Sequence, residues 1–175
     1  MPDHAHGYDK LSDSELLAKV MKGWRCDETP CGTGSALAST ALLRSHLTRI
    51  TKEYDIDSVA DAGAGDLHWI PFVRWDVDYR PFDLYPRHIG VTKFDITKEV
   101  LPKSDLILCR HVLNHLSIRM SDAAIRRFRT SRSKYLLMTN CDNQREYWAQ
   151  YGLSIGDPIK TFSDCQHWQL ELYEL

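Results

Sequence analysis

The chain has 175 residues, of which 43% are hydrophobic and 26% charged: enough apolar material for one self-supporting core, too short for a multi-module assembly and too apolar for a disordered chain. With 22 Lys plus Arg against 24 Asp plus Glu and a net charge of −2, it lacks the overall positive field of a protein that grips duplex nucleic acid, so only a local groove for such a partner stays open. The longest unbroken apolar runs, such as Leu106-Ile107-Leu108-Cys109, have four residues, far below the roughly 20 a membrane-spanning helix needs, and the polar N-terminus has no signal-peptide core, so a soluble, cytoplasmic protein is expected.

A single domain is expected: a mobile tail over residues 1–10, N-terminal helices over 11–55 and an α/β core over 56–175. The tail, with His4 and His6, shows no periodicity. Ser12 or Asp13 is placed to cap a short helix carrying Leu16, Leu17, Val20 and Met21 and ending near Gly23, because a Ser or Asp oxygen satisfies the orphan N–H groups of a first helical turn. Cys31-Gly32-Thr33-Gly34-Ser35 reads as a flexible turn. After it Leu43, Leu47, Ile50 and Tyr54 recur at helical spacing and predict an amphipathic helix from about Ala36 to Tyr54.

From Ser58 the pattern changes to short β-like bursts: Ser58 to Asp61, Tyr79 to Tyr85, Val91 to Asp95, Asp105 to Cys109 and Tyr135 to Thr139. A short helix through Leu67, Ile70 and Val73 joins the first two. A longer one, with Ser121 as its cap and Ile125 and Phe128 on one face, joins the last two. Strands alternating with helices predict a mainly parallel, helix-covered sheet. The tail from His167 to Leu175 alternates polar and apolar residues and predicts an antiparallel edge or insertion strand. The five cysteines, Cys26, Cys31, Cys109, Cys141 and Cys165, are odd in number and contain no CxxC spacing; free thiols and no metal site are the expectation.

Chemistry concentrates at Val59-Ala60-Asp61-Ala62-Gly63-Ala64-Gly65-Asp66. An apolar burst there ends in an acid and two glycines spaced by one, a bend that lets a ligand approach bare backbone. Taken alone, the same pattern also fits a plain strand-to-helix turn. A dinucleotide fingerprint needs a third glycine where this chain has His68, which demotes an NAD-dependent oxidoreductase. Asp83, in Pro81-Phe82-Asp83-Leu84-Tyr85, ends the second burst and is placed to accept both ribose hydroxyls. Asp95, in Lys93-Phe94-Asp95-Ile96-Thr97, ends the third and is placed to accept from an adenine amino group. Together the two acids read a nucleoside without phosphate.

Asp61-x-Gly63-x-Gly65, Asp83, Asp95-Ile96-Thr97 and the run from Leu101-Pro102 through Cys109-Arg110-His111-Val112-Leu113-Asn114-His115-Leu116 resemble the class I, Rossmann-like S-adenosylmethionine-dependent methyltransferases. The likeness runs from about Ser58 to Asn140. It implies that Asp61, Gly63 and Gly65 meet the methionine part of the cofactor, Asp83 with Leu84 the ribose, and Asp95 with Ile96 the adenine. It also implies that Arg110 and His111 line the cleft where methyl meets acceptor, that Asn140 opens the loop after the fifth strand, and that the turn holding Gly34 and Ser35 closes over S-adenosylmethionine. Two departures stand out: only Pro86 to Gly90 separates the second and third bursts, where a parallel crossover normally takes a dozen or more residues, and the Asn/Asp-Pro-Pro-aromatic segment of amino-methylating DNA enzymes is absent.

A hydroxyl or ammonium acceptor must lose a proton, and histidine titrates near neutrality. His111 is therefore the first catalytic candidate and His115 the second. On a helix beginning near His111 the two share a face, where capping or packing is the competing role. Asn140 and Asp142, in Asn140-Cys141-Asp142-Asn143-Gln144, are candidates for substrate contact or for a self-bonded turn. Among the tryptophans, Trp24 or Trp148 is placed to stack a planar acceptor. Arg126, Arg127, Arg129, Arg132 and Lys134 read as a solvated helix end rather than a polyanion site. The expected activity is methyl transfer with a small-molecule acceptor favoured over RNA or protein; a catalytically silent cofactor-binding regulator is the alternative.

Overall fold

The computed structural model describes residues 11–22, 24, 26–140, 144–165 and 168–175; the expected tail, Cys141 and Asp142 lie outside them. Seven strands, β1 (Ser58–Ala62), β2 (Asp78–Asp83), β3 (Thr92–Lys93), β4 (Leu106–Cys109), β5 (Tyr135–Asn140), β6 (Lys160–Ser163) and β7 (Gln169–Glu174), form one sheet in the order β3-β2-β1-β4-β5-β7-β6. The pairs among β1 to β5 are parallel, and β7 is antiparallel to both β5 and β6. The winding reverses between β1 and β4, so their carboxyl ends open the crevice where sheets of this kind bind ligands.

Both sheet faces are covered, which is why β4 is apolar at every position. One face carries Ala60, Ile107, Cys109 and Leu136 against Ile125 and Phe128 of α3 (Ile118–Thr130) and Tyr147 and Trp148 of α4 (Gln144–Gln150). The other carries Val59, Leu106, Leu108 and Leu137 against Leu43, Leu47 and Ile50 of α2 (Ala41–Glu53). Each of those three α2 side chains is fully buried, worth about 1.5–3 kcal/mol apiece. The first helix, α1 (Asp13–Lys22), seats Leu16 on Met120 of α3.

Several expectations are corrected. The helix predicted from Ala36 starts at Ala41, because a 3-10 turn over Thr33–Ser35 runs into Ala36 in extended backbone and the Thr40 hydroxyl donates to the Ala36 carbonyl. The helix between β1 and β2 is one 3-10 turn, Ile70–Phe72: Leu67 has φ 60°, and Pro71 has no N–H to give. The cap of α3 is Ser117, whose Oγ accepts the Met120 N–H at 3.4 Å, while Ser121 lies inside the helix and donates to the Leu113 carbonyl. Ser117→Ala should therefore cost about 1 kcal/mol, read as a fall in the urea midpoint; an unchanged midpoint would remove the cap.

The C-terminal strand is antiparallel, as expected, and takes the inserted rather than the edge position: β6 pairs along its outer side, and α4 covers the face that carries Tyr173. Glu171 is consequently buried, accepting from Asn140 Nδ2 at 3.0 Å and from the Tyr173 hydroxyl. The shortened crossover is present as residues 84–91, and β3 has only two residues. All five basic residues at and beyond the end of α3 are exposed, as a solvated face requires. Among the described residues no helix is long and apolar enough to cross a membrane.

Candidate functional site

A cavity of about 400 Å³ opens at the carboxyl ends of β1, β2, β3 and β4, within the range of small-molecule sites, roughly 300–1,000 Å³. Asp61, Gly63, Gly65, Asp83, Leu84, Asp95, Ile96, Arg110, Gly34, Ser35, His111, His115 and Trp24 all line it. Asn140 does not: its amide turns to Glu171. Trp148 is in the core and offers no stacking face. His111 is not on a helix; it has φ 54° and precedes a 3-10 turn over Leu113–His115.

The glycine bend folds back over β2. Gly63 and Ala64 donate their N–H groups to the Phe82 carbonyl at 2.8 and 3.0 Å, and Gly65 donates to Asp83 Oδ2 at 2.9 Å. Asp83 Oδ1 accepts the Tyr85 N–H at 2.8 Å. The acid at the tip of β2 thus builds the bend as well as facing the cavity, and a carboxylate, with about four lone-pair sites, still has capacity for two hydroxyl donors. Burial pushes its pKa above 3.8 against the pull of those two amides. Asp61 lies deeper; burial raises it to about 7 although the Tyr79 hydroxyl donates to it.

Asp95 sits in a self-made turn, with Oδ1 accepting from the Thr97 N–H and hydroxyl and Oδ2 pairing with Lys98 at 2.8 Å. Burial opposes ionisation, yet those bonds hold the carboxyl below 3.8. Phe94 and Ile96 flank it with apolar surface in the same cavity.

A strap of residues 26–37 borders the opening, with Cys31 to Ser35 in its wall. Thr29 donates to Asp66 at 2.6 Å, Glu28 takes the Leu37 N–H and pairs with His68 at 2.8 Å, and Gly34 gives its carbonyl to Arg110 at 2.9 Å. Its close approaches explain two glycines: a Cβ on Gly65 would lie 2.6 Å from Cys31 Sγ, and one on Gly32 2.7 Å from Trp24 Cβ. Behind the strap Trp24 stacks on His115 with centroids 4.6 Å apart.

Arg110 lines the cavity, as expected, with its guanidinium already engaged in the wall. Its guanidinium gives Nε and Nη2 to the two oxygens of Asp164 at 2.9 and 3.0 Å and Nη1 to Gly34, which leaves it a wall-building pin rather than a free cation. His111 Nε2 lies 3.2 Å from Asp164 Oδ2, its ring stacks on Trp168 at 4.5 Å, and its N–H bonds the Thr139 hydroxyl at 3.0 Å. Burial works against Asp164, but the bonds from His111 and Arg110 hold it at about 2; burial lowers His111 below 6.5. Donor atoms of His111, Asp164 and Cys165 lie within 4.8 Å of one another, the spacing of a metal-ligand set. The Arg110 guanidinium already supplies the cation there, touching both Asp164 oxygens and, at 3.4 Å, Cys165 Sγ. Asp164, Cys165 and Trp168 are the site residues that sequence reasoning missed.

No protein-family model and no curated protein matches the sequence. Solved structures do match in fold. Magnesium protoporphyrin IX methyltransferase from Synechocystis PCC 6803, with bound S-adenosylmethionine, superposes with a TM-score of 0.59 at 12% identity, over 99% of this chain and 97% of that one. The N-methyltransferase NodS from Bradyrhizobium japonicum WM9, with S-adenosyl-L-homocysteine, gives 0.62 at 14% identity over 93% and 97%. An rRNA methylase from Escherichia coli gives 0.58 at 13% over 77% and 64%. The architecture is therefore the Rossmann-like methyltransferase fold, a mainly parallel seven-stranded sheet with antiparallel C-terminal strands.

Proposed function

We propose that this protein is an S-adenosylmethionine-dependent methyltransferase. The observation that carries the reading is the joint placement of Asp83 and Asp95 in one hollow with the side-chain-free bend at Gly63 and Gly65. Acids at two successive strand tips match the sugar and the base of an unphosphorylated nucleoside, and the bend leaves room for the methionine part. The three structural neighbours, named for a porphyrin, an N-methyl and an rRNA reaction, support the chemistry but select no acceptor. Trp24, His115, Leu17 and Met120 give the remaining wall an aromatic and apolar character, which favours a small planar acceptor. The free thiols of Cys26, Cys31, Cys109 and Cys165 support a cytoplasmic setting.

When bound, the cofactor supplies an electrophilic methyl on a sulfonium. The chain's own contribution is to hold the acceptor in line with that methyl and to exclude water beneath the strap, and positioning of this kind carries much of the rate. His111, at the tip of β4, is the group placed to take a proton from a hydroxyl or ammonium acceptor; His115, stacked under Trp24, is the second.

Asp83→Ala tests the cofactor reading. Loss of hydrogen bonds to a charged acceptor should weaken S-adenosylhomocysteine binding by about 1.5–3 kcal/mol, roughly ten- to a hundredfold, in calorimetry. Affinity unchanged from wild type would refute the ribose assignment. In thermal shift the wild-type protein should be stabilised by S-adenosylhomocysteine and not by NAD; the reverse result would favour the oxidoreductase.

A further inference from the structure

We propose that Asp164 is a positioning residue that fixes His111 in the tautomer with a proton on Nε2 and an unprotonated Nδ1 facing the cleft. The inference rests on the methyltransferase reading for its purpose, though not for its geometry.

Asp164 has no exposed side-chain surface, and Arg110, on two parallel hydrogen bonds, is almost as deeply buried. A bidentate guanidinium keeps a buried carboxylate ionised and fixes its orientation. Asp164 Oδ2, 3.2 Å from His111 Nε2, is then an acceptor only. A neutral imidazole has one N–H, and a carboxylate partner decides which nitrogen carries it. The proton goes to Nε2, and the lone pair falls on Nδ1.

Other contacts hold the ring in that pose. Trp168 packs on it, the Thr139 hydroxyl takes the backbone N–H of His111, and Asp164 itself is anchored by its own N–H to the Trp168 carbonyl at 2.9 Å. The backbone of His111 is left-handed, at φ 54°, a conformation that persists in a non-glycine residue only when its surroundings impose it. Nδ1 has no hydrogen-bond partner among the described residues. In front of it stands Gly34: a Cβ there would lie 3.4 Å from Nδ1 and Cε1, so the missing side chain keeps the approach open. Neither the sequence motifs nor the fold likeness points to residue 164.

Nδ1 would take the proton that an acceptor's O–H or N–H gives up on methylation; bound S-adenosylmethionine would supply the methyl, its sulfur keeping the electron pair of the broken bond. The imidazolium that results keeps its Nε2–H on Asp164, where a charged partner stabilises it.

The test is the histidine tautomer, observed in the full chain by two-bond 1H–15N correlation NMR on ¹⁵N-histidine-labelled protein near pH 8. His111→Gln identifies the signals by their loss. Wild type should show His111 protonated at Nε2. Because Asp164 Oδ2 serves both Arg110 Nε and His111 Nε2, the variant is Asp164→Leu combined with Arg110→Met, which removes the carboxylate from Nε2 together with its guanidinium partner and should leave the proton shared between Nε2 and Nδ1. A wild-type proton on Nδ1, or the same tautomer in both proteins, overturns the proposal. Should the double variant fail to fold, the wild-type spectrum still decides. Wild-type protein that does not bind S-adenosylhomocysteine sinks the cofactor reading and leaves the tautomer result standing.

Discussion

Gly63→Ala should abolish S-adenosylhomocysteine binding in calorimetry and lower stability by at least about 2 kcal/mol, because two separate costs of order 1–3 kcal/mol meet at one atom. The backbone there has φ +113°, and the added Cβ would sit 2.2 Å from Val112 Cγ2. Val112 cannot simply yield, since it stands between the tip of β4 and the 3-10 turn that carries His115. The bend must move instead. Moving it breaks the Gly63 and Ala64 bonds to the Phe82 carbonyl and drags Gly65 off Asp83. The two costs separate in a double mutant: Gly63→Ala with Val112→Ala removes the clash and keeps the φ penalty, so part of the stability returns while binding stays poor. Binding at wild-type affinity in the single mutant would mean that the ligand does not use this bend.

How far the sequence carries depends on whether a feature is local. Asp83 and Asp95 were legible because a strand tip is a property of a short window: an apolar burst, then an acid, at the edge where parallel sheets bind ligands. Asp61, Gly63 and Gly65 were legible for the same reason. Asp164 was not. It lies 54 residues beyond Arg110, in the loop between β6 and β7, and only the antiparallel return of β7 beside β5 brings it to the cleft. A weak cue existed in Lys160-Thr161-Phe162-Ser163, where one apolar residue among polar ones marks the edge strand that precedes the loop. The spacing of His111 and His115 misled, because four residues apart reads as one helix face, whereas a left-handed residue at 111 turns the chain before the 3-10 turn begins. The start of α2 misled too: Ala36 to Thr40 has helix-compatible composition, but the tight turn before it leaves Ala36 extended.

Arg110→Met should cost about 3–5 kcal/mol at neutral pH, since it strands a buried carboxylate while keeping the length of the side chain, and against a total stability of roughly 5–15 kcal/mol that is a large share. The sign with pH distinguishes this from lost packing. In wild type Asp164 is held at about 2 against an ordinary 3.8, so its contribution, about 2 kcal/mol, is fully present above pH 3.8 and disappears as the pH falls through 2. Without the guanidinium, burial is opposed only by the His111 contact, so the carboxyl gains proton affinity and the variant becomes less stable as pH rises. His111 loses a neighbouring cation and gains basicity, which lets an imidazolium partly replace Arg110 in mild acid. Urea midpoints at pH 3, 5 and 8 should therefore show a deficit that is greatest at pH 8 and shrinks towards pH 3; a deficit constant across pH would assign it to packing. Arg110→Met combined with Asp164→Leu removes both charges and should recover most of the stability, as buried ion pairs replaced by apolar side chains commonly do. Its His111 should nonetheless lose the fixed tautomer, because the contact left to Nε2 is Cys165 Sγ at 3.9 Å, a weak acceptor. The ion pair is thus replaceable as a source of stability and is retained for the orientation of one imidazole.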